Sequence, residues 1–273
     1  MPALTNRRMP VPTLSVILIT KNESASIDAC LASVAFADEW IVVDSASTDD
    51  TCERARAFGA TVLSTDDWPG FGAQKQRALD RASGRWVLAI DADERVTPEL
   101  AASIRRAVAA EASVGPGAYE LSRLSSFCGR WIRHGDWHPD RVLRLFRRDR
   151  GRFSADRVHE HVIAEGAVGR LDGELLHLTM PTLDDAIAKM NRYSSEGAAQ
   201  ALAAGKRGGV AAALAHAAWA FVRCYGLRRG FLDGAAGFTV AAYIADGTFW
   251  RYRKMAELAR SLPIDVGPAS PLQ

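Results

Sequence analysis

A chain of 273 residues, 48% hydrophobic and 24% charged, has room for one large domain or for a core domain with an appendage. That composition excludes a disordered or collagen-like polymer, and a net charge of +2, from 34 basic against 32 acidic side chains, excludes a general nucleic-acid binder. The charge is unevenly spread, with nine arginines between Arg123 and Arg152 against Asp136, Asp140 and Asp149. Such a cluster is either a solvated face or the counterpart of an anionic ligand or membrane surface. The four cysteines (Cys30, Cys52, Cys128, Cys224) lie far apart without a CxxC pair, which points to unpaired thiols in a reducing compartment. The opening "MPALTNRRMPVPTLSVILIT" has an apolar run broken by prolines that then reads as a strand. It makes a poor signal peptide, so the chain is expected in the cytoplasm.

In chain order, "LSVILIT" (14–20) is an apolar, β-rich run that predicts a buried strand. Ile27, Cys30, Leu31 and Val34 then recur at i, i+3, i+4 and i+7, the spacing of an amphipathic helix. "WIVVDS" (40–45) predicts a second strand. In "STDDT", Ser47 with Asp50 three positions later fits a capping box opening a second helix, which ends near Phe58–Gly59. "ATVLS" (60–64) is a third strand, residues 72–83 form a helix stopped by Gly84, and "RWVLAID" (85–91) is a fourth strand. Thr97–Pro98 caps a further helix with Leu100, Ile104 and Val108 facing inward. Strands and helices alternating at this spacing form β-α-β units, hence an α/β fold with a parallel sheet covered on both faces. Ligands of such sheets sit at the carboxyl ends of the strands, where Thr20, Asp44 and Asp91–Asp93 all fall.

Beyond about residue 115 the alternation breaks down. "AYELSRL" and "RVLRLFRR" read as strands joined by the aromatic and basic loop "FCGRWIRHGDWHPD", and "RVHEHVIAE" and "GELLHLTM" as further short strands. From 182 onward the pattern is helical, with Leu183, Ile187, Met190 and Ser194 on one face. The segment at 209–226 is apolar but short and interrupted by His216 and Arg223, and 231–250 carries Asp233 and Asp246, so neither predicts a transmembrane helix. Flanked by "LRRG" and "RYRK" and rich in aromatics, they suit helices lying in a membrane surface, or else ordinary core helices.

In a strand, residues i and i+2 project to one side. Asp91 and Asp93 of "WVLAIDADERV" are therefore expected to face one point, with Glu94 turned away into the turn or the next helix. Two carboxylates at one point favour a divalent cation with oxygen ligands, Mg²⁺ or Mn²⁺; no Cys/His cluster has zinc spacing. Such a metal commonly bridges to phosphate oxygens and neutralises a diphosphate leaving group. The competing reading is an Asx-turn leading into the helix capped by Thr97. No Gly-x-Gly-x-x-Gly follows the first strand and no Walker lysine motif occurs, which leaves a dinucleotide or P-loop site unsupported.

Together, "SVILITKNES", "WIVVDSASTDDT", "WPGFGAQKQRAL" and "WVLAIDADERV" resemble the pattern of glycosyltransferase family 2, whose fold is the nucleotide-sugar-binding type called GT-A. The resemblance covers residues 14–180. More narrowly, "WIRHGDWHPDRVLRLFRR", "RVHEHV", "LLHLTM" and "LRRGFLDG" look like its lipopolysaccharide-core β-glucosyltransferase group, with C-terminal helices. The resemblance implies that Thr20 and Asp44 hold the nucleoside, Asp44 reading the uracil edge. Lys75 would border the donor, with Gln74 or Arg77 able to share that task, or these would be a solvated helix face. Asp91 would contact the ribose or the metal, and Asp93 would be the principal metal ligand, with His177 of "LLHLT" as a further metal or diphosphate contact or a structural histidine.

An inverting transferase needs a base for the acceptor hydroxyl. Many members of the family place a Glu-Asp pair where this chain has His159-Glu160, so Glu160 is the expected base, with Asp140 and Asp136 as alternatives. His134, His138, Trp131 and Trp137 read as acceptor-loop residues, Trp137 offering a face to a sugar ring.

The expected organisation is an N-terminal extension (1–13), a GT-A domain (14–180, with a nucleotide-sugar half 14–112 and an acceptor half 113–180), a helical membrane-associating region (181–262) and a tail (263–273). The expected activity is inverting, metal-dependent transfer of a hexose, glucose from UDP-glucose, to a lipopolysaccharide core or other lipid-linked saccharide. It would take place peripherally on the cytosolic face of the inner membrane, against an anionic surface. A nucleotidyltransferase of related fold, or a sugar- or lipid-binding scaffold without catalysis, are the rival readings.

Overall fold

The computed structural model of the protein describes residues 13–110, 115–154 and 161–261. The chain divides into two units. One holds the chain up to Leu124 together with Asp140–His177, and the other holds Ser125–Pro139 and the chain from Leu178 onward.

The first unit opens with the expected alternation: β1 (Leu14–Thr20), α1 (Ile27–Ser33), β2 (Glu39–Asp44), α2 (Thr51–Phe58), β3 (Thr61–Ser64), α3 (Phe71–Arg81) and β4 (Trp86–Ala89). These strands lie parallel in the order β3-β2-β1-β4. Short strand β5 (Glu94–Val96) precedes α4 (Pro98–Ala109); then come β6 (Ala118–Phe127), β8 (Asp140–Arg147), β9 (Gly151–Phe153), β10 (Val162–Ala164) and β11 (Val168–His177), with β7 (Arg130–Trp131) between β6 and β8. The sheet continues past β4 as β8-β6-β11-β5, and the β4–β8, β8–β6 and β11–β5 pairs are antiparallel. The alternation of apolar residues along β1 explains the two covered faces. Val16 and Leu18 join Val42, Leu88 and the inward sides of α1 and α4, while Ile17 joins Ile41, Val43, Val87 and Ala78 and Leu79 of α3. Each such fully buried side chain contributes about 1.5–3 kcal/mol, so these two layers, not the individual strand propensities, hold the strand ends level.

Three local expectations are corrected. The box opening α2 does not form: Asp50 is the N-cap without a side-chain cap bond, and the Ser47 hydroxyl turns to Asp44 instead. Helix α3 ends at Arg81 rather than at Gly84. Gly84 is needed for close approach, because a Cβ there would lie 2.5 Å from the Ser15 hydroxyl. Strand β4 stops at Ala89, so Asp91 and Asp93 lie beyond it in a turn. The caps at Gly59 (φ 103°) and Thr97, whose hydroxyl accepts from the Leu100 amide, are as expected.

The second unit contains β7, which pairs with the end of β6, and the helices α5 (Leu183–Ala203), α6 (Val210–Phe221) and α7 (Gly234–Ser261). Thr182 and Asp185 cap α5 reciprocally. The buried face of α5 is Ala186, Met190, Ser194 and Ala198, so Leu183 and Ile187, expected on it, are exposed. Phe127, Ile132, Met180, Ala186 and Val240 form the core, and Lys254 ties α7 to α5 through Asn191, Ser194 and Ser195 at 2.6–2.8 Å. Past Phe221 the helix widens into a π-turn, Val222–Leu227, in which the Arg228 amide reaches back to the Arg223 carbonyl. Val210–Leu227 has a mean hydropathy of 1.3 and is long and apolar enough, by length and composition alone, to cross a membrane, although the interruptions at His216 and Arg223 argued against such a span.

Candidate active site

Thr20 and Asp44 end β1 and β2 and are register partners, so the Thr20 hydroxyl donates to Asp44 Oδ1 at 2.9 Å. The Ser47 hydroxyl and amide donate to Asp44 Oδ1 and Oδ2 at 2.5 and 2.8 Å. Asp44 is 1% exposed. Burial works against its charge, but the bonds from Ser47 and Thr20 outweigh it and hold the carboxyl below its ordinary range.

The turn after β4 is fixed by its own polar groups. The Asp91 amide donates to Glu94 Oε2 and the Glu94 amide to the Asp91 carbonyl, both at 2.9 Å. Arg95 clamps the turn from outside, donating to the Ala92, Glu94 and Ser26 carbonyls at 2.7 Å. Period-two geometry does not apply here, and the two aspartates find different partners. Asp91 receives Lys75 Nζ at 2.9 Å on one oxygen and Arg144 Nη2 at 2.6 Å on the other. Asp93 meets His177 Nε2 at 3.2 Å. The β5–β11 pair explains that contact, since it sets His177 opposite Glu94 and so beside Asp93.

Glu94 does not turn away as expected. Its side chain is fully buried and receives Arg144 at 3.2 Å and Arg123 at 3.5 Å. Arg123 also binds Asp140 at 2.8 Å. Lys75, Asp91, Arg144, Glu94, Arg123 and Asp140 thus form a chain of alternating charge, three cations against three anions. Burial opposes ionisation of Asp91, yet the charges of Arg144 and Lys75 prevail and hold it far below the usual carboxylate range. At Glu94 burial wins and the carboxyl is raised. The crowding of acids in "DADE" is therefore balanced by cations from α3, β6 and β8.

Lys75 reaches Asp91 because α3 presents Gln74, Lys75, Ala78 and Leu79 inward. Gln74 is fully buried and holds Ser45 and Thr65 at 2.9 and 2.7 Å, and Arg77 makes a two-pronged pair with Asp67 at 2.6 and 2.8 Å. Both are committed to the scaffold. Glu23, missed in the sequence, lies near Asp93, Asp49 and Asp91; burial, then the repulsion of those acids, pushes its carboxyl to about 7. Its signal was an acid three residues past Thr20 at a strand end. Arg123 and Arg144 were legible only as members of a basic cluster.

Glu160 lies outside the described residues. Trp131, His134, Asp136, His138 and Trp137 belong to the second unit. There Trp137 packs on Phe127 and Tyr243 at centroid distances of 5.7 and 6.1 Å. Asp136 is bound by Arg223 at 2.6 Å and Arg228 at 3.2 Å. His134 Nδ1 lies 2.8 Å from Asp233.

An α/β sheet whose parallel half ends in Thr20, Asp44 and an acid-rich turn, and whose other half is antiparallel, has the GT-A arrangement of nucleotide-sugar enzymes. The match to glycosyl transferase family 2 over residues 15–154 agrees: the chain belongs to that family and is a glycosyltransferase. Among its relatives, the lipopolysaccharide core biosynthesis glycosyltransferase LpsC of Rhizobium meliloti is 33% identical over 205 residues, 73% of this chain and 75% of its own. An uncharacterized glycosyltransferase of Rickettsia typhi is 30% identical over 256 residues, 90% of this chain and 87% of its own. Glucosyl-3-phosphoglycerate synthase of Mycobacterium tuberculosis is 41% identical over 93 residues, 30% of this chain and 29% of its own. Its solved complex with Mn²⁺, UDP and glucosyl-3-phosphoglycerate is 32% identical, covers 42% of this chain and 44% of that one, and has a TM-score of 0.35. The chain thus spans less than half the length of that solved protein.

Proposed function

We propose that the protein transfers glucose from UDP-glucose, with inversion, to a lipopolysaccharide inner-core or other lipid-linked saccharide, with a divalent cation at Asp93. The observation that carries this reading is the turn after β4, which holds Asp91 against Lys75 and Arg144 while leaving Asp93 beside His177. The likeness to LpsC supports the acceptor class, and the likeness to a glucosyl synthase supports the sugar.

The donor set was weighed against the metal. Among the described residues no group of three His, Cys, Asp or Glu side chains could hold an ion. Asp93 and His177 offer one carboxylate and one imidazole 3.2 Å apart. Two protein ligands suit Mg²⁺ or Mn²⁺, which complete their shells with phosphate oxygens and water. Asp91, already balanced by two cations, serves the ribose in this reading. When bound, the metal would offset charge on the departing diphosphate.

The chain's own residues do the rest. Asp44, fixed by Thr20 and Ser47, reads the base edge. Lys75 and Arg144 hold Asp91 rigid, so binding the nucleotide requires little reordering at that carboxylate. The acceptor hydroxyl loses its proton to a base as its oxygen bonds to the anomeric carbon and UDP departs. Asp140 is engaged by Arg123 at 2.8 Å, so Glu160 is the first choice for that base.

The transferase domain would span 14–180 and the helical region 181–262, working peripherally at the cytosolic face of a membrane. Of the 18 large apolar side chains exposed among the described residues, all but Trp68, Phe71 and Val168 lie in the second unit, which favours a surface partner there.

The test is a panel of UDP- and GDP-sugars with Mg²⁺, Mn²⁺ or chelator, reading nucleotide release with a truncated core acceptor. The reading expects release from UDP-glucose that stops with chelator. Pyrophosphate released from UTP would favour a nucleotidyltransferase, and no turnover of any donor would favour a binding scaffold.

A further inference from the structure

The second unit contains an open trough of about 720 Å³, within the roughly 300–1,000 Å³ usual for a small-ligand site. Phe127, 2% exposed, belongs to its floor, and Leu183, Leu232 and Trp131, 55%, 54% and 39% exposed, stand along it. Small side chains widen it: Ala235, Ala236 and Thr239 line one side along the first turns of α7. Gly129 lines it too, with φ 75° and nothing within 4 Å of an added Cβ. Exposing several large apolar side chains around one concavity is unfavourable in water and marks a binding surface.

Two charged residues line the trough. Asp233 is spent inside the unit: Oδ1 meets His134 Nδ1 at 2.8 Å and Oδ2 accepts the Arg133 and His134 amides at 3.0 and 2.8 Å. Arg130 is exposed and makes no ion pair with any described residue. Among the described residues the rim therefore offers one uncompensated cation beside an apolar channel. That combination fits an amphiphile with an alkyl chain and an anionic head.

We propose that this trough binds one acyl chain of the acceptor's lipid anchor, with Arg130 against the anionic head group. The proposal rests on the reading that the acceptor is lipid-linked, and it adds where the lipid is held. The chain buries apolar surface against Phe127, Leu183, Leu232 and Ala236, so binding should strengthen about fourfold with each methylene buried. A bilayer surface alone or an apolar protein helix would not show that dependence on a single chain and a single arginine.

The probe is cis-parinaric acid, whose fluorescence rises on entering an apolar site, added to the full chain without vesicles and displaced by dodecyl phosphate or dodecanol. Dodecyl phosphate should displace it about two- to fivefold better than dodecanol, as one exposed charge contact of up to about 1 kcal/mol allows. Ala235→Trp, which fills the trough, should weaken the probe at least about tenfold. Leu183→Glu alters an exposed position, cannot disturb the core, and should weaken it similarly. Arg130→Ala should erase the preference for phosphate while keeping dodecanol displacement.

Probe binding that survives both Ala235→Trp and Leu183→Glu overturns the proposal, as does binding seen only with vesicles. If the probe binds as expected while no lipid-linked acceptor is glycosylated, the trough stands and the acceptor reading fails. If such acceptors are used but KM is the same for long and truncated lipid anchors, the trough is not where the anchor sits.

Discussion

Replacing Arg144 with leucine removes the cation shared by Asp91 and Glu94. Arg144 is 8% exposed and Glu94 is fully buried, so water cannot substitute for the lost partner. Removing one member of a buried pair costs about 3–5 kcal/mol. Here Asp91 keeps Lys75 at 2.9 Å and Glu94 keeps Arg123 at 3.5 Å, which places the cost near the lower bound, about 3 kcal/mol. At about 2–4 °C per kcal/mol for a domain of this size, Tm should fall by about 6–12 °C. Circular dichroism melts of Arg144→Leu, alone and with Glu94→Gln, measure it. In the double variant the penalty should shrink by about 1–2 kcal/mol, because the buried acid no longer carries a charge to strand. A Tm drop under about 2 °C, or strictly additive effects, would refute the alternating-charge account.

Other outcomes follow from the same contacts. Glu23 binds its proton more tightly in the folded chain, with a carboxyl at about 7 against 4.5, so its contribution to stability is greatest below pH 4.5 and is lost as pH rises toward 7. With chelator present, Glu23→Gln should flatten that decline in urea melts; an unchanged slope contradicts the burial of this carboxyl. Cys30 and Cys224 are buried, whereas Cys52 and Cys128 are partly exposed; desolvation pushes up the thiols of Cys30, Cys224 and Cys52 alike, so access sets the order of reaction. A thiol titration of the native protein should therefore label Cys52 and Cys128 well before the other two, and rapid labelling of Cys30 would mean that the α1 layer opens. Thr182→Ala should cost about 1 kcal/mol by unmaking the box at α5, visible as a lower urea midpoint.

The parallel half of the fold was legible because it rests on local signals: apolar runs for β1, β2 and β4, Gly59 and Thr97 at helix ends, and i, i+3, i+4 spacing in α1. The antiparallel half was harder, since β5 is three residues long and exists only by pairing with β11. The strand-end placement of Thr20 and Asp44 was readable, but Asp91 and Asp93 lie in the turn beyond β4, and the partners of all four were not readable. Arg144 and Arg123 lie some 30 to 50 positions from Glu94 and Asp91, and nothing in a basic cluster tells which arginine turns inward. Helix α5 misled for a related reason. Leu183 and Ile187 are apolar at helical spacing, yet the buried stripe is Ala186, Met190, Ser194 and Ala198, so only Met190 and Ser194 of the expected face turn inward.

The central claim is that a metal-dependent sugar transfer runs through Asp93. Its most direct test compares wild type with Asp93→Ala in UDP release from UDP-glucose, with Mn²⁺ and a lipopolysaccharide-core acceptor, after both melt at the same temperature. The account predicts manganese-dependent release and a β-linked product from wild type, with a loss of at least about a hundredfold in the variant. Near-wild-type, manganese-dependent turnover by Asp93→Ala would contradict it.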